Sequence, residues 1–366
     1  MDLSKQKEEV RNKKMKREQE DPIKHVSYPS IGQYRNTIRA VCSQARFAGL
    51  DEHGEPIVNH AAVMPVLTYR GTVKLHGTNA AIGRRLIMDP SVDEIWFQSR
   101  ERIITPAKDN MGFASKYYGQ PLETLLFDKL PEGEDVIIFG EWCGQGVQST
   151  VGIGRLPKMF VAFDVLIDGV WQDKSVVQSV SCKELNIFNI YDYHTEEIDI
   201  DFAFPENAQN KLVELTTKVA DKCPVANAFG VEGIGEGIVW RCVSDKNYAD
   251  PGYMFKVKDE RHATGAGKVK VLAEVDAQAV ANIKEFAELV VTESRCRQGL
   301  DKMRERGLTL DRSCIGHYIN WVFDDVVKEE LDVAMKSKID LGKAKGAVTK
   351  LARDWFFNHE NEWLDK

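Results

Sequence analysis

The sequence predicts an α+β fold, with a core of mostly antiparallel sheets over residues 25–265 and an all-helical C-terminal segment over residues 270–366. Three observations carry this reading. From residue 66 to 260, short β-branched and aromatic runs alternate with turn residues, the pattern of half-buried strands joined by tight loops. After residue 270 the apolar spacing changes to a helical period. No G-x-G-x-x-G or P-loop lysine string occurs, which leaves a Rossmann or Walker-type fold without support.

Taken in order, residues 1–24 are a charge-dense extension of mixed sign, a solvated helix or a disordered segment, which Pro22 ends. Residues 25–65 open the core with Tyr28-Pro29-Ser30-Ile31-Gly32-Gln33-Tyr34 and turn at Asp51–Pro56. Val66–Val73 reads as a strand. Ile167-Asp168-Gly169-Val170 is a hairpin signal, because Asp-Gly accepts the positive φ angles of a type I′ turn. Leu212, Val213, Leu215, Val219 and Ala220 predict a helix within 206–222. In the C-terminal segment Asp276 is placed to cap a helix bearing Val280, Ile283, Phe286, Ala287 and Val290. Asp311 is placed to cap one bearing Ile315, Tyr318, Ile319, Val322 and Val326, and Val348, Leu351, Ala352 and Trp355 mark a third.

Composition bounds the function less tightly. A chain of 366 residues can bury a substantial core, and no apolar stretch reaches the length of a membrane span or a signal-peptide core. A soluble, cytoplasmic protein (host-cell cytoplasm included) is therefore expected, not secreted, with no membrane partner and a monomeric state. The seven cysteines show no CxxC pairing or histidine spacing suited to zinc, and reduced thiols account for them. The net charge of −7 argues against bulk attraction to nucleic acid. Basic residues nevertheless cluster locally at Arg84-Arg85, at Arg100 and Arg102, and along Lys256, Lys258, Arg261, Lys268 and Lys270.

The chemistry concentrates at Lys74-Leu75-His76-Gly77-Thr78-Asn79, where a strand delivers a lysine into a turn. A lysine attacks phosphorus only as the neutral amine, so a rigid, desolvated setting suits it. Further strings follow in order: Phe97-Gln98-Ser99-Arg100, Gly140-Glu141-Trp142-Cys143-Gly144-Gln145-Gly146-Val147-Gln148, Phe160–Val165, Glu236–Arg241 and Met254–Lys258. Together these resemble the motifs of the covalent nucleotidyltransferases over residues 66–260. His76 in the third motif position and the Gly-Glu-x-x-Gly-x-Gly-Val-Gln string look like the double-strand, nick-sealing RNA ligase 2 branch.

That resemblance implies a two-sheet, ATP-grasp-like nucleotidyltransferase domain with ATP between its sheets, followed by the helical domain. It implies Lys74 as nucleophile, with Lys256 and Lys258 holding phosphate oxygens and His76 serving the later steps. Phe163 would stack on adenine, Glu141 would accept from the ribose, Arg100 and Asn79 would orient the nucleotide, and Glu236 would bind Mg²⁺ or Mn²⁺. Val73, beside the nucleophile, is counted with the nucleotide-binding positions, although this family often carries an acidic residue there. ATP would be consumed through a lysine-AMP intermediate, and the partner would be RNA with 3′-OH and 5′-phosphate ends, as in a nicked duplex. A chain ending near residue 265 is expected to adenylate Lys74, with the helices needed for sealing. A DNA ligase or capping-type enzyme would share the lysine chemistry, and a noncatalytic RNA-binding relative would keep the fold.

Overall fold

A computed structural model describes residues 23–86, 94–148, 150–259, 283–336 and 339–363. The charged extension over 1–22, the Asp276 cap with Val280, and Arg261, Lys268 and Lys270 lie outside the described residues. Strands run in chain order as β1 (Gly32–Gln33), β2 (Phe47–Leu50), β3 (Pro56–Val58), β4 (Val66–Lys74), β5 (Thr78–Arg85), β6 (Glu94–Ser99) and β7 (Ile103–Ile104). They continue as β8 (Asp135–Cys143), β9 (Met159–Ile167), β10 (Val170–Trp171), β11 (Ile187–Asn189), β12 (Thr195–Asp201), β13 (Gly237–Cys242) and β14 (Phe255–Lys258). The longer helices are α1 (Tyr34–Arg46), α2 (Gln209–Asp221), α3 (Ile283–Val290), α4 (Glu293–Glu305), α5 (Ile315–Lys336) and α6 (Leu341–Asn358). The chain divides into two compact units, one formed by the residues up to Tyr28 with Thr78–Trp142 and Phe160–Asn189, the other by Pro29–Gly77, Cys143–Met159 and Ile190–Lys366.

The second unit holds a five-stranded sheet in the order β1-β14-β13-β4-β12, antiparallel except for the parallel β1·β14 pair. Strand β4 follows the two-residue period of its sequence: Leu67, Tyr69, Gly71 and Val73 are buried, while Thr68, Arg70, Thr72 and Lys74 line the other face. Close packing fixes Gly71, where a Cβ would come within 2.8 Å of Ile238 and 2.9 Å of Trp240. Helix α2 buries Leu212, Leu215, Val219 and Ala220 as their spacing predicts.

The same unit carries the C-terminal helices, which share a core that includes Phe286, Leu300, Val322, Val348 and Phe356. Each such side chain contributes roughly 1.5–3 kcal/mol through burial, which is what sets these helices in place. Asp311 accepts from the Ser313 amide at 2.7 Å in the short turn that leads into α5. Helix α4 is an addition to the sequence reading: Thr292 caps it, accepting from the Arg295 amide, and Cys296, Leu300 and Met303 are its apolar face.

The first unit holds a seven-stranded sheet ordered β10-β9-β8-β5-β6-β7, with β11 parallel to β9. Its core is aromatic. Phe113 lies 5.4 Å from Trp142, 5.3 Å from Tyr117 and 5.2 Å from Phe160, ring centre to ring centre. The Asp168-Gly169 hairpin forms as predicted, with φ of 48° and 79°.

Candidate active site

In the five-stranded sheet, register alone brings the lysines together. Gly237 at the start of β13 lies opposite Lys74 of β4 on one flank and Lys258 of β14 on the other. Directly opposed residues share a face, so both side chains stand on one side of the sheet. Glu236 immediately precedes that pair. Its position depends on the close approach of Gly237 to β14, where a Cβ would sit 2.1 Å from the Val257 carbonyl oxygen.

Glu236 is 2% exposed and is the hub of the site. Its Oε2 accepts from Lys74 Nζ at 2.7 Å and lies 3.3 Å from His76 Nδ1, and its Oε1 lies 3.0 Å from Lys258 Nζ. Burial alone would raise this carboxyl, but Lys74, Lys258 and His76 together hold it well below the usual carboxylate range. Lys258 shows the reciprocal effect. Burial would lower it, and the Glu236 carboxylate raises it above the ordinary lysine value.

Lys256 stands two residues away on the same face of β14 and behaves differently: burial pulls it down to about 8, with Glu329 opposing and Lys258, Lys328 and Lys74 adding to the fall. Val73 is buried on the opposite face of β4 from Lys74, so only its backbone can face a ligand held by the lysines.

The remaining predicted residues lie in the other unit. Asn79 of β5 and Glu141 of β8 are direct cross-strand partners, and both are half-buried. Phe163 is the partly exposed position in β9, whose other residues are buried. Tyr28 meets its ring edge-on at 4.9 Å and donates a 3.0 Å hydrogen bond to buried Asp164, which fixes the strand behind it. Arg100 is half-buried in the bend after β6.

The basic pairs read from the sequence divide. Arg84 is buried, pairing with Glu123 at 3.0 Å and donating to the Gly133 carbonyl, and Arg85 pairs with Asp135 at 2.7 Å. Arg102 donates to the Lys108 and Asp109 carbonyls. These arginines hold loops and strands, whereas Lys256 and Lys258 stand in the site.

Two participants escape the sequence motifs. Gln33, the register partner of Lys256, and Glu329 of α5 both reach that lysine's surroundings. Neither has a local signal; only the parallel β1·β14 pairing and the packing of α5 reveal them.

Among the described residues, no group of three or more His, Cys, Asp or Glu could enclose a metal ion, and no helix is long and apolar enough to cross a membrane. A lone buried carboxylate fits only a hard cation that takes most of its ligands from water and substrate phosphate.

No curated protein matches the sequence. Similar solved structures include Naegleria gruberi RNA ligase with PPi and a mutant of that ligase with ATP and Mn. Each is 14% identical with a TM-score of 0.40, and each match covers 64% of this chain and 56% of that chain. This chain thus spans little more than half the length of those proteins, and a likeness so distant carries no weight here. The family model for RNA ligase matches residues 67–258, just over half of the chain, from within β4 to the end of β14. The site built around Glu236 falls inside that span, and the chain belongs to the RNA ligase family.

Proposed function

We propose that this protein is an ATP-dependent RNA ligase of the nick-sealing, RNA ligase 2-like type, with Lys74 as its nucleophile. The observation that carries the reading is the convergence of Lys74, His76 and Lys258 on one buried carboxylate, within the span that matches the family. On this reading residues 25–265 form a nucleotidyltransferase domain of ATP-grasp-like architecture, residues 270–366 a helical domain, and the protein acts as a cytoplasmic monomer.

In the first transfer Lys74 Nζ attacks the α-phosphorus of ATP. An N–P bond forms, the bond to the bridging oxygen breaks, and pyrophosphate leaves with the electron pair. Lys74 must shed its proton first. The depressed carboxyl of Glu236 is a poor resting place for it, so Glu236 aims the amine and the proton passes to solvent. Lys256 and Lys258, raised on one face of β14, offset charge on the phosphate oxygens. Phe163 supplies the face for adenine and Glu141 accepts from the ribose, with Asn79 and Arg100 orienting the nucleotide. A divalent cation, Mg²⁺ or Mn²⁺, would supply charge neutralisation at phosphate, with Glu236 as its protein ligand.

In the second transfer a 5′-phosphate oxygen of RNA attacks the lysine-bound AMP and frees the Lys74 amine. In the third a 3′-hydroxyl attacks the RNA 5′-phosphorus, the phosphodiester forms and AMP leaves.

The test is strand joining with ATP on nicked duplexes whose 3′-OH and 5′-phosphate strands are RNA or DNA in every combination. Sealing of nicks whose 3′-OH and 5′-phosphate strands are both RNA is expected. Equal sealing of all-DNA nicks would assign the enzyme to the DNA ligases instead.

A further inference from the structure

Lys256 is held from outside its own sheet. Glu329, 5% exposed on α5, places Oε1 3.6 Å from Lys256 Nζ and accepts at Oε2 from Gln33 Nε2 at 2.6 Å. Gln33 lies beside Lys256 in the β1·β14 register, so the carboxylate bridges neighbouring strands. The helix carrying it is fixed on its other side. Arg35 donates to the Glu329 carbonyl oxygen and pairs with Glu330 at 3.6 Å; Glu330 pairs at 3.2 Å with fully buried Arg295, which also holds Asp325 at 2.8 Å. A second contact, independent of the first, ties Gln148 of the Gly-Val-Gln string to Asp301 of α4 at 2.9 Å.

We infer that Glu329 is a positioning residue for lysine adenylylation: from the helical segment it keeps Lys256 oriented for the phosphates of ATP. The inference rests on the reading of Lys256 as a phosphate-holding cation. Its physical basis is the burial of an ammonium group, which favours the neutral amine unless a negative charge stands close by. The charged groups around Lys256 are Glu329 and Lys328 on α5, Lys258 on β14 and Lys74 on β4, and Glu329 is the one among them that favours the ammonium. A chain ending near residue 265 would lack this carboxylate, so the core alone is not expected to adenylate Lys74 at the full rate.

The experiment measures the pH profile of kcat/KM for lysine adenylylation in the full-length protein, for wild type, Glu329→Gln, Glu330→Gln and Lys256→Met. Glu329→Gln keeps the shape and removes the charge. Its alkaline limb should move to lower pH by about one unit, the low end of what an opposite charge within ~4–6 Å contributes, with rates converging on wild type in acid. Glu330→Gln, which loosens the helix without touching Lys256, should leave the limb in place. An unmoved limb in Glu329→Gln, a faster reaction, or an equal shift in Glu330→Gln would each overturn the inference. If Lys256→Met adenylates like wild type, the reading of Lys256 itself fails, a result distinct from the other three.

Discussion

The two sheets carry their functional candidates in opposite ways. In the five-stranded sheet the candidates hold one another: Lys74 and Lys258 pair with Glu236, His76 lies beside the same carboxylate, and Lys256 leans on Glu329. In the seven-stranded sheet they are polar or aromatic groups on an apolar scaffold, with Phe163 standing out of an otherwise buried strand and Asn79 opposite Glu141. Removing Glu236 from the first set leaves two lysines without their shared buried carboxylate, so folding and chemistry suffer together. Trimming a side chain in the second leaves the scaffold intact, so binding should change while the fold survives.

The sharpest contrast is therefore expected at Glu236. Glu236→Gln should abolish most adenylylation and also destabilise the protein by about 3–5 kcal/mol, because both lysines lose their buried partner. Thermal melting across pH checks this. The folded-state pKa of Glu236 lies well below its unfolded value, so its contribution is present above the unfolded pKa and lost as pH falls through the folded one. The gap in stability between wild type and variant should close in acid; a gap independent of pH would break the comparison.

Phe163→Ala should do less, raising KM for ATP by roughly 5- to 150-fold, the equivalent of ~1–3 kcal/mol of stacking. Melting should change little. A variant that melts far below wild type would make Phe163 a core residue rather than a binding face.

Arg84→Ala should have the smallest effect on RNA binding, since its guanidinium already serves Glu123 and the Gly133 carbonyl. The salt dependence of RNA binding should keep its slope, whereas loss of one phosphate contact would reduce the slope by about 0.7–0.9.

Local pattern made much of this architecture legible. Alternation in Val66–Lys74 marks β4 and places Lys74 at its end, the Asp168-Gly169 pair marks a hairpin, and helical spacing marks α2, α5 and α6. Helix α4 is less legible, because Cys296, Leu300 and Met303 are sparse apolar points in a strongly charged run. The pairing of Gln33 and Glu329 about Lys256 has no local signature at all. It depends on a parallel strand pair and on a helix far along the chain. Arg84 and Arg85 mislead for the same reason: their partners Glu123 and Asp135 are distant in sequence, so paired arginines look like a free basic cluster.

The central claim is that Lys74 carries AMP. Incubation of the full-length protein with labelled ATP and Mg²⁺, followed by mass mapping of the modified peptide, tests it most directly. The account predicts one AMP on Lys74, joined through nitrogen to phosphorus, and none on Lys74→Ala or on Lys74→Arg, whose guanidinium stays protonated and cannot attack. A covalent AMP that persists in either variant, or that maps to another residue of the wild-type protein, would contradict it.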